Sequence, residues 1–545
     1  KESEFPVEWD SPEQEKLHWQ TGGKNAAFPL VIDQVFMQGE AEKRSVDFTG
    51  QTMGRMNLKK LVNGWLYSAE SPRDPEVTKN TQLKFHLKGR RLLNKGTSYF
   101  SETIEPHLRS NLARLERARP VDSAPIPEHI SYLRNAMELI TDHMNDLHWR
   151  GASGFNPKDR NELGDLFAEI TGRPAIEASN LLLATEHMTA RLTRRLFGLA
   201  ALVKSDSWLT EAFEQRDYQV IFARGAGKRS VVLRFRARFN SMMKTWGCRN
   251  GIGYGSAWKA TDPSWNMKPE IPLDLIGSYL RQDLPDGRRL HAGLIRKRNA
   301  AIAAVQKKIG RNPKLRKSFD FQLFRETTRV QFMENHNYLV EQRSNGEYRE
   351  SINRVGMALV RENWIDTPDD IFFLRLGQLD DAVDSDDYSR LRSLIIQAKA
   401  DHAENSKLDR PDFLGTKPPE DKKDEDEPLR GLSEDGLILH GEPSSSGAST
   451  GTARVVLTRT SSPPDVKKGD ILVTDNTGPD WVPIFPLLGG LVLDSGDNFQ
   501  HASIISREYG IPCVIQTKEA TKLITNGQLI TVDGSAGTVT LNPMV

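Results

Sequence analysis

Between residues 401 and 432 the chain offers almost nothing apolar to bury, and its middle runs Lys417-Pro418-Pro419-Glu420-Asp421-Lys422-Lys423-Asp424-Glu425-Asp426-Glu427-Pro428. A stretch of this kind cannot bury enough surface to offset the entropy of ordering it, so it reads as a solvated linker. About thirty such residues have a root-mean-square span of about 30 Å, enough to let one domain travel. The linker forbids a single core through all 545 residues, a length that already favours two or more domains. The expected division is 1–403, a linker over 404–435, and 436–545.

The two sides differ in texture. Residues 130–363 carry mainly helical apolar spacing. Over 130–151, Tyr132, Leu133, Met137, Ile140, Met144 and Leu147 recur at threes and fours, the mark of an amphipathic helix. Pro174 suits the first position of a second helix, where its missing N–H costs nothing, and that helix is expected to run on toward Val203. A third helical pattern covers 321–363, with a break expected near Asn345-Gly346, while the aromatic and glycine-rich 245–272 reads as loop. Beyond the linker, short strands are expected at 453–458, 470–474, 491–494, 513–516, 528–532 and 538–541. Helical segments fall between them near 481–488, 501–509 and 519–524. The fold class is therefore multidomain, with a large, mainly α-helical N-terminal domain and a compact β/β/α domain at the C-terminus.

With 74 basic and 73 acidic side chains the net charge is +1. So even a balance gives no general basic field for nucleic acid. No apolar run reaches the roughly 18–20 residues of a membrane span, and Lys1–Pro6 lacks the apolar core of a signal peptide. Two cysteines, Cys248 and Cys513, support neither a disulfide framework nor a cysteine zinc site. The expected setting is a reducing cytoplasm, without nucleic acid or membrane partners and without a bound metal.

The segment from Gly496 to Pro512 carries the chemistry. A glycine loop delivers His501 to the first turn of a helix, and Gly510-Ile511-Pro512 ends that helix before the strand Cys513-Val514-Ile515. The first turn has unpaired N–H groups and partial positive charge, a setting that holds an anion or a phosphate carried on imidazole. A neutral imidazole, with an ordinary pKa near 6.5, needs no separate base to expose its lone pair. Gly496, Ala502, Ser503 and Arg507 are the residues placed to support the phosphate. Ile504 and Glu508 share the helical face of His501, whereas Arg507 is about 120° away. Taken locally, the segment reads first as a histidine that merely caps a helix in an ordinary α/β domain.

Taken domain-wide, it resembles the phosphohistidine swivelling domain of enzymes related to phosphoenolpyruvate synthase and pyruvate phosphate dikinase. The likeness covers 439–541 and rests on Gly441-Glu442-Pro443, Ser446-Gly447 with Gly451-Thr452-Ala453, Lys468-Gly469-Asp470-Ile471-Leu472-Val473, Pro479-Asp480-Trp481, the His501 segment and Asp533-Gly534-Ser535-Ala536-Gly537. Two departures stand out: Asp497 replaces a second glycine and Gln500 precedes the histidine, where the family commonly has Ser, Thr or Cys. The N-terminal part is similar to the helical acceptor-binding domain of rifampin phosphotransferase and phenylphosphate synthase-type enzymes, on Phe5-Pro6-Val7-Glu8-Trp9, Trp246-Gly247-Cys248-Arg249, Glu334-Asn335-His336-Asn337-Tyr338, Gly356-Met357-Ala358-Leu359 and Asp369-Asp370-Ile371-Phe372-Phe373-Leu374.

The resemblance implies that His501 is the catalytic phosphoryl carrier. No segment resembles the family's ATP-binding domain, nor its phosphoenolpyruvate barrel. A split enzyme is then implied, in which an ATP-grasp-type partner subunit holds ATP and Mg²⁺ and loads His501. The acceptor is expected to be a small aromatic or phenolic molecule. Candidates for its site are Arg249 and Glu334 in the stretches of resemblance, His143 and His148 as bases, and Trp246 and Trp258 among the aromatics near Tyr254 and Trp265. The bland alternatives are structural histidines, a buried ion pair and ordinary aromatic core. His143 and His148 stand five apart, so they do not share a helical face as a two-histidine metal site requires. Arg224-Gly225-Ala226-Gly227-Lys228-Arg229-Ser230 lacks the spacing of a phosphate loop and is rejected. Asp497 and Gln500 favour a competing expectation, a regulatory binding protein that keeps the swivelling fold without carrying phosphate. A hydro-lyase built on a similar mobile domain is disfavoured by the lack of cluster-binding cysteines.

Overall fold

A computed structural model of the chain describes residues 5–21, 27–44, 57–70, 102, 104–143, 162–225, 229–249, 263–280, 287–411, 413–417, 431–457, 466–475, 477, 479–496 and 501–541. It forms two compact units, each discontinuous in sequence: Lys1–Phe155 with Leu339–Lys423, and Asn156–Tyr338 with Asp424–Val545.

In the first unit, strands β1 (His18–Gln20), β2 (Asn57–Val62), β3 (Trp65–Glu70) and β4 (Phe413–Gly415) form a four-stranded sheet in the order β2-β3-β1-β4. Trp19, Trp65 and Tyr67 fill its core with Phe5 and Leu414. The helix Ile126–Asp142 lies beside Asn345–Arg361, burying Ile130, Leu133, Met137 and Ile140 at threes and fours. Arg119 bridges to Glu347 at 2.6 Å, an acid that also accepts from the Tyr132 hydroxyl.

The second unit joins a set of helices to a nine-stranded sheet. Its helices include Glu162–Thr171, Met188–Lys204, Ser230–Trp246, Glu270–Leu280, Gly287–Ile309 and Pro313–His336. The sheet contains β5 (Gly431–Leu432), β6 (Ile438–His440), β7 (Glu442–Ser445), β8 (Ala448–Val456), β9 (Ile471–Thr474), β10 (Gly490–Leu493), β11 (Cys513–Ile515), β12 (Leu529–Asp533) and β13 (Thr538–Leu541), in the order β5-β6-β13-β12-β8-β9-β10-β11-β7. β8 joins two halves of different character. Its first residues pair antiparallel with β12 and its last pair parallel with β9. Strand β8 must bend close to the β9 turn where it changes partner, and a Cβ on Gly451 would come within 2.2 Å of the Gly469 carbonyl oxygen. Val473, Val492, Val514, Ile530, Val532 and Val539 form the core beneath.

Several sequence expectations change. The helix expected from Pro174 to Val203 is two pieces: Pro174 caps a 3₁₀ turn, Ala175–Leu181, and a fresh helix begins at Met188 with His187 as its N-cap. Ala184, with φ of 52°, turns the chain between them. The break expected near Asn345-Gly346 lies earlier, in a π-helical stretch Asn337–Ser344, and Asn345 begins the next helix. Residues 245 and 246 close a helix and residue 270 opens another, so the loop expected over 245–272 is shorter. Within the 404–435 stretch Asn405 closes the helix Leu391–Asn405, β4 pairs with β1, and β5 pairs with β6, while 412 and 418–430 lie outside the described residues. None of the described helices is long and apolar enough to cross a membrane.

Candidate active site

The loop that leads to His501 leaves the end of β10. The Asp494 carboxylate accepts the Thr521 N–H at 3.0 Å and the Thr521 hydroxyl, and so ties the loop after β10 to the short helix Ala520–Leu523 that follows β11. Gln516 adds a second tie, its Nε2 donating to the Gly496 carbonyl at 2.8 Å. Gly496 has φ of 122°, a conformation closed to side chains of L-residues, and this is where the chain turns out of the sheet. Residues 497–500 lie outside the described set, so the placement of Asp497 and Gln500 stays out of view. The next helix, His501–Tyr509, starts on His501 itself, which puts the residue among the first-turn N–H groups.

That helix is anchored along its length. Ala502, Ser503, Ile504 and Ile505 are buried. Arg507 lies back along the helix, its Nε donating to the Ser503 carbonyl at 3.0 Å. The helix ends in a left-handed Gly510, φ 66°, with the Ile511 N–H bonded to the Ser506 carbonyl at 2.8 Å and Pro512 beyond. Behind it, burial pushes the Cys513 thiol up to about 12, against the pull of hydrogen bonds from Ser506 and Ser444. Cys513 is a core residue with no thiolate to offer.

At the far end of the helix, Glu508 is buried against the helical part of the same unit. Its carboxylate meets His187 Nε2 at 2.5 Å, and its carbonyl accepts the Ala184 N–H at 3.2 Å. His187 Nδ1 lies between the Ala190 N–H, at 3.4 Å, and Glu334 Oε2, at 3.8 Å. Glu334 takes a hydrogen bond from the Thr189 hydroxyl at 2.8 Å. Beside this cluster lies a narrow crevice, lined in part by Thr193, Arg194, Phe197, His291 and Tyr509. The nine residues of the helix separate this crevice from His501 by about 12 Å along the axis.

The acceptor-site candidates are distributed between units. Arg249, Trp246 and Glu334 belong to the second unit and His143 to the first, while His148 and Trp258 lie outside the described residues. Arg249 is buried with its guanidinium over the Trp265 ring at 5.4 Å. Trp246 is buried with its ring 6.3 Å from that of Tyr338. His143 is buried, giving Nδ1–H to the Ser344 hydroxyl at 2.7 Å and accepting from Asn111 at 3.3 Å. Burial lowers its pKa to about 3, with help from His107 and Arg114. The His187–Glu508 pairing was not foreseen. Its one sequence signal is a carboxylate on the helical face shared by Ile504 and His501.

Two stretches of the chain match known protein families. Residues 466–537 match the PEP-utilising enzyme mobile domain, and residues 153–332 match the rifampicin phosphotransferase fourth domain. Phosphoenolpyruvate synthase of Aeropyrum pernix is 37% identical over 146 residues, 27% of this chain and 16% of that protein. Rifampicin phosphotransferase of Bacillus subtilis is 40% identical over 124 residues, 20% of this chain and 14% of that protein. Chondramide synthase of Chondromyces crocatus is 24% identical over 574 aligned positions, 99% of this chain and 14% of that protein. The chain thus spans well under a third of the length of the curated relatives it matches.

Proposed function

We infer that this chain, which carries a PEP-utilising mobile domain beside a rifampicin phosphotransferase-type fourth domain, is a phosphotransferase working through a phosphohistidine at His501. The observation that carries this is the start of a helix on His501, within the stretch that matches the mobile domain. In the first half-reaction an imidazole nitrogen attacks the donor phosphorus; the N–P bond forms and the donor's P–O bond breaks. In the second, an acceptor hydroxyl attacks the same phosphorus, its O–P bond forms, the N–P bond breaks, and the hydroxyl proton passes to a base or to water. First-turn N–H groups at Ala502 and Ser503 are placed to steady the added charge.

The donor is ATP held with Mg²⁺ on an ATP-grasp-type partner, and the acceptor is a small phenol. Among the described residues no three His, Cys, Asp or Glu side chains stand together as a metal site, and no step is assigned to Mg²⁺ on this chain. The test is intact mass after treatment with potassium phosphoramidate, which phosphorylates histidine chemically. Among the 12 histidines, labelling is expected to be lower by one acid-labile phosphoryl group in His501→Ala than in the wild type, and the His501 label is expected to discharge on adding phenol. An unchanged wild-type mass, or the same extent of labelling in His501→Ala, defeats the carrier assignment. A stable label in the presence of phenol defeats only the acceptor.

A further inference from the structure

Three side chains from three separate elements meet, buried, in the second unit. His187 caps the helix Met188–Lys204, Glu334 comes from Pro313–His336, and Glu508 from the helix that begins on His501. They are 1%, 1% and 3% exposed. Burying ionisable groups costs several kcal/mol each unless they are paired, so this cluster holds together only while the carrier helix stays in place. Among the other described contacts across this boundary, Ser179 and Ser446 touch hydroxyl to hydroxyl at 3.1 Å, the Ala184 N–H meets the Glu508 carbonyl, and Tyr509 makes a hydrogen bond to Thr193.

The geometry points to a proton-linked latch: His187, Glu508 and Glu334 hold the C-terminal domain against the helices of its unit, and the latch opens by losing a proton. The proposal rests on the carrier reading, because only a travelling His501 requires the domain to leave. His187 has two settings for Nδ1. Neutral, it accepts the Ala190 N–H while Nε2–H reaches Glu508. Protonated, Nδ1 becomes a donor and faces Glu334, so that one cation stands between two carboxylates. Other titratable or charged groups around it are Glu186, itself bound to Arg191 and Arg194, Tyr509 beside Glu508, and His291 and Arg298 from the helix Gly287–Ile309, with Arg298 donating to the Ala184 carbonyl.

The sign follows from both partners. Burial pulls the His187 pKa down, but Glu508, Glu334 and Glu186 outweigh it and leave it raised. Burial raises that of Glu508 more than His187 lowers it. Both groups therefore bind protons more tightly docked than free. Docking is supported by His187 in full below the ordinary imidazole value of about 6.5, and that support is lost as pH rises toward the docked value.

The Ala184 amide reports the docked state, because its hydrogen bond ends on Glu508. Hydrogen exchange at this amide, corrected for intrinsic rate, should lose about tenfold protection per pH unit above about 6.5 in the full chain. In His187→Gln and in Glu508→Gln, a shape-matched change that also guards against misfolding of the first, protection should be lower and flat with pH. The same pH curve in wild type and both variants, or no pH dependence in the wild type, overturns the latch. Phosphoramidate labelling of the same samples separates the two ideas. Loading of His501 with an unresponsive Ala184 sinks the latch alone, and a responsive Ala184 with no loading sinks the carrier alone.

Discussion

A histidine's usefulness is decided by what surrounds it, and His143 and His187 show two opposite outcomes. His143 has both nitrogens engaged by neutral groups, and burial, helped by the nearby His107 and Arg114 side chains, holds its pKa at about 3. Its folded value lies below the unfolded 6.5, so its contribution to stability is complete above pH 6.5 and falls away as pH drops toward 3, by about 1.4 kcal/mol per pH unit. Wild type should therefore lose denaturant midpoint between pH 6 and 4 more steeply than His143→Gln. Parallel curves would show that the buried imidazole is not what acid attacks. The sequence could nominate His143 but could not show what surrounds it or single out His187, because Ser344 lies 201 positions from the one and Glu508 321 positions from the other. His501 was legible for the opposite reason: its loop, helix start and Gly-Ile-Pro stop are all local.

At the scale of elements, the strands and helices of the C-terminal domain were readable almost residue by residue, since short apolar runs there are separated by glycine turns. The turn after β12 shows what such a glycine does. A Cβ on Gly534 would sit 1.9 Å from the Ser445 carbonyl oxygen and 2.6 Å from the Cys513 nitrogen. Neither is a flexible side-chain end, so β7 and β11 would have to part. Gly534→Ala should cost about 3 kcal/mol or more, at the upper end for overpacking. It should lower the thermal midpoint and loosen exchange protection across 442–445 and 513–515. A variant as stable as the wild type would mean that this turn has room the geometry denies. The break between 182 and 187 escaped the periodicity, because Leu181, Leu182, Leu183 and Leu196 keep a helical spacing across it. What ends the first piece is a left-handed Ala184, held by Arg298 donating to its carbonyl at 3.3 Å, a contact no local pattern announces.

For the molecule as a whole, the partition into units follows contacts that join distant parts of the chain. β1 lies inside its sheet between β3 and β4, and its partner β4 is nearly four hundred residues on, at Phe413–Gly415. Strands of three residues leave no alternation to detect, which is why this sheet was unread in the sequence. Trp19 is its keystone: 1% exposed, its Nε1–H donated to the Gln14 carbonyl at 2.8 Å, its ring 6.3 Å from that of Trp9. Trp19→Ala should cost about 3–5 kcal/mol through the cavity it leaves. If the two units are separate cooperative bodies, the loss falls on one of them. Exchange protection should collapse across 57–70 and 413–415 while the amides of β8–β13, which share no core with Trp19, keep theirs. Equal loss in both places would make the chain one folding unit, and the C-terminal domain could then leave its dock only by unfolding part of the first unit as well.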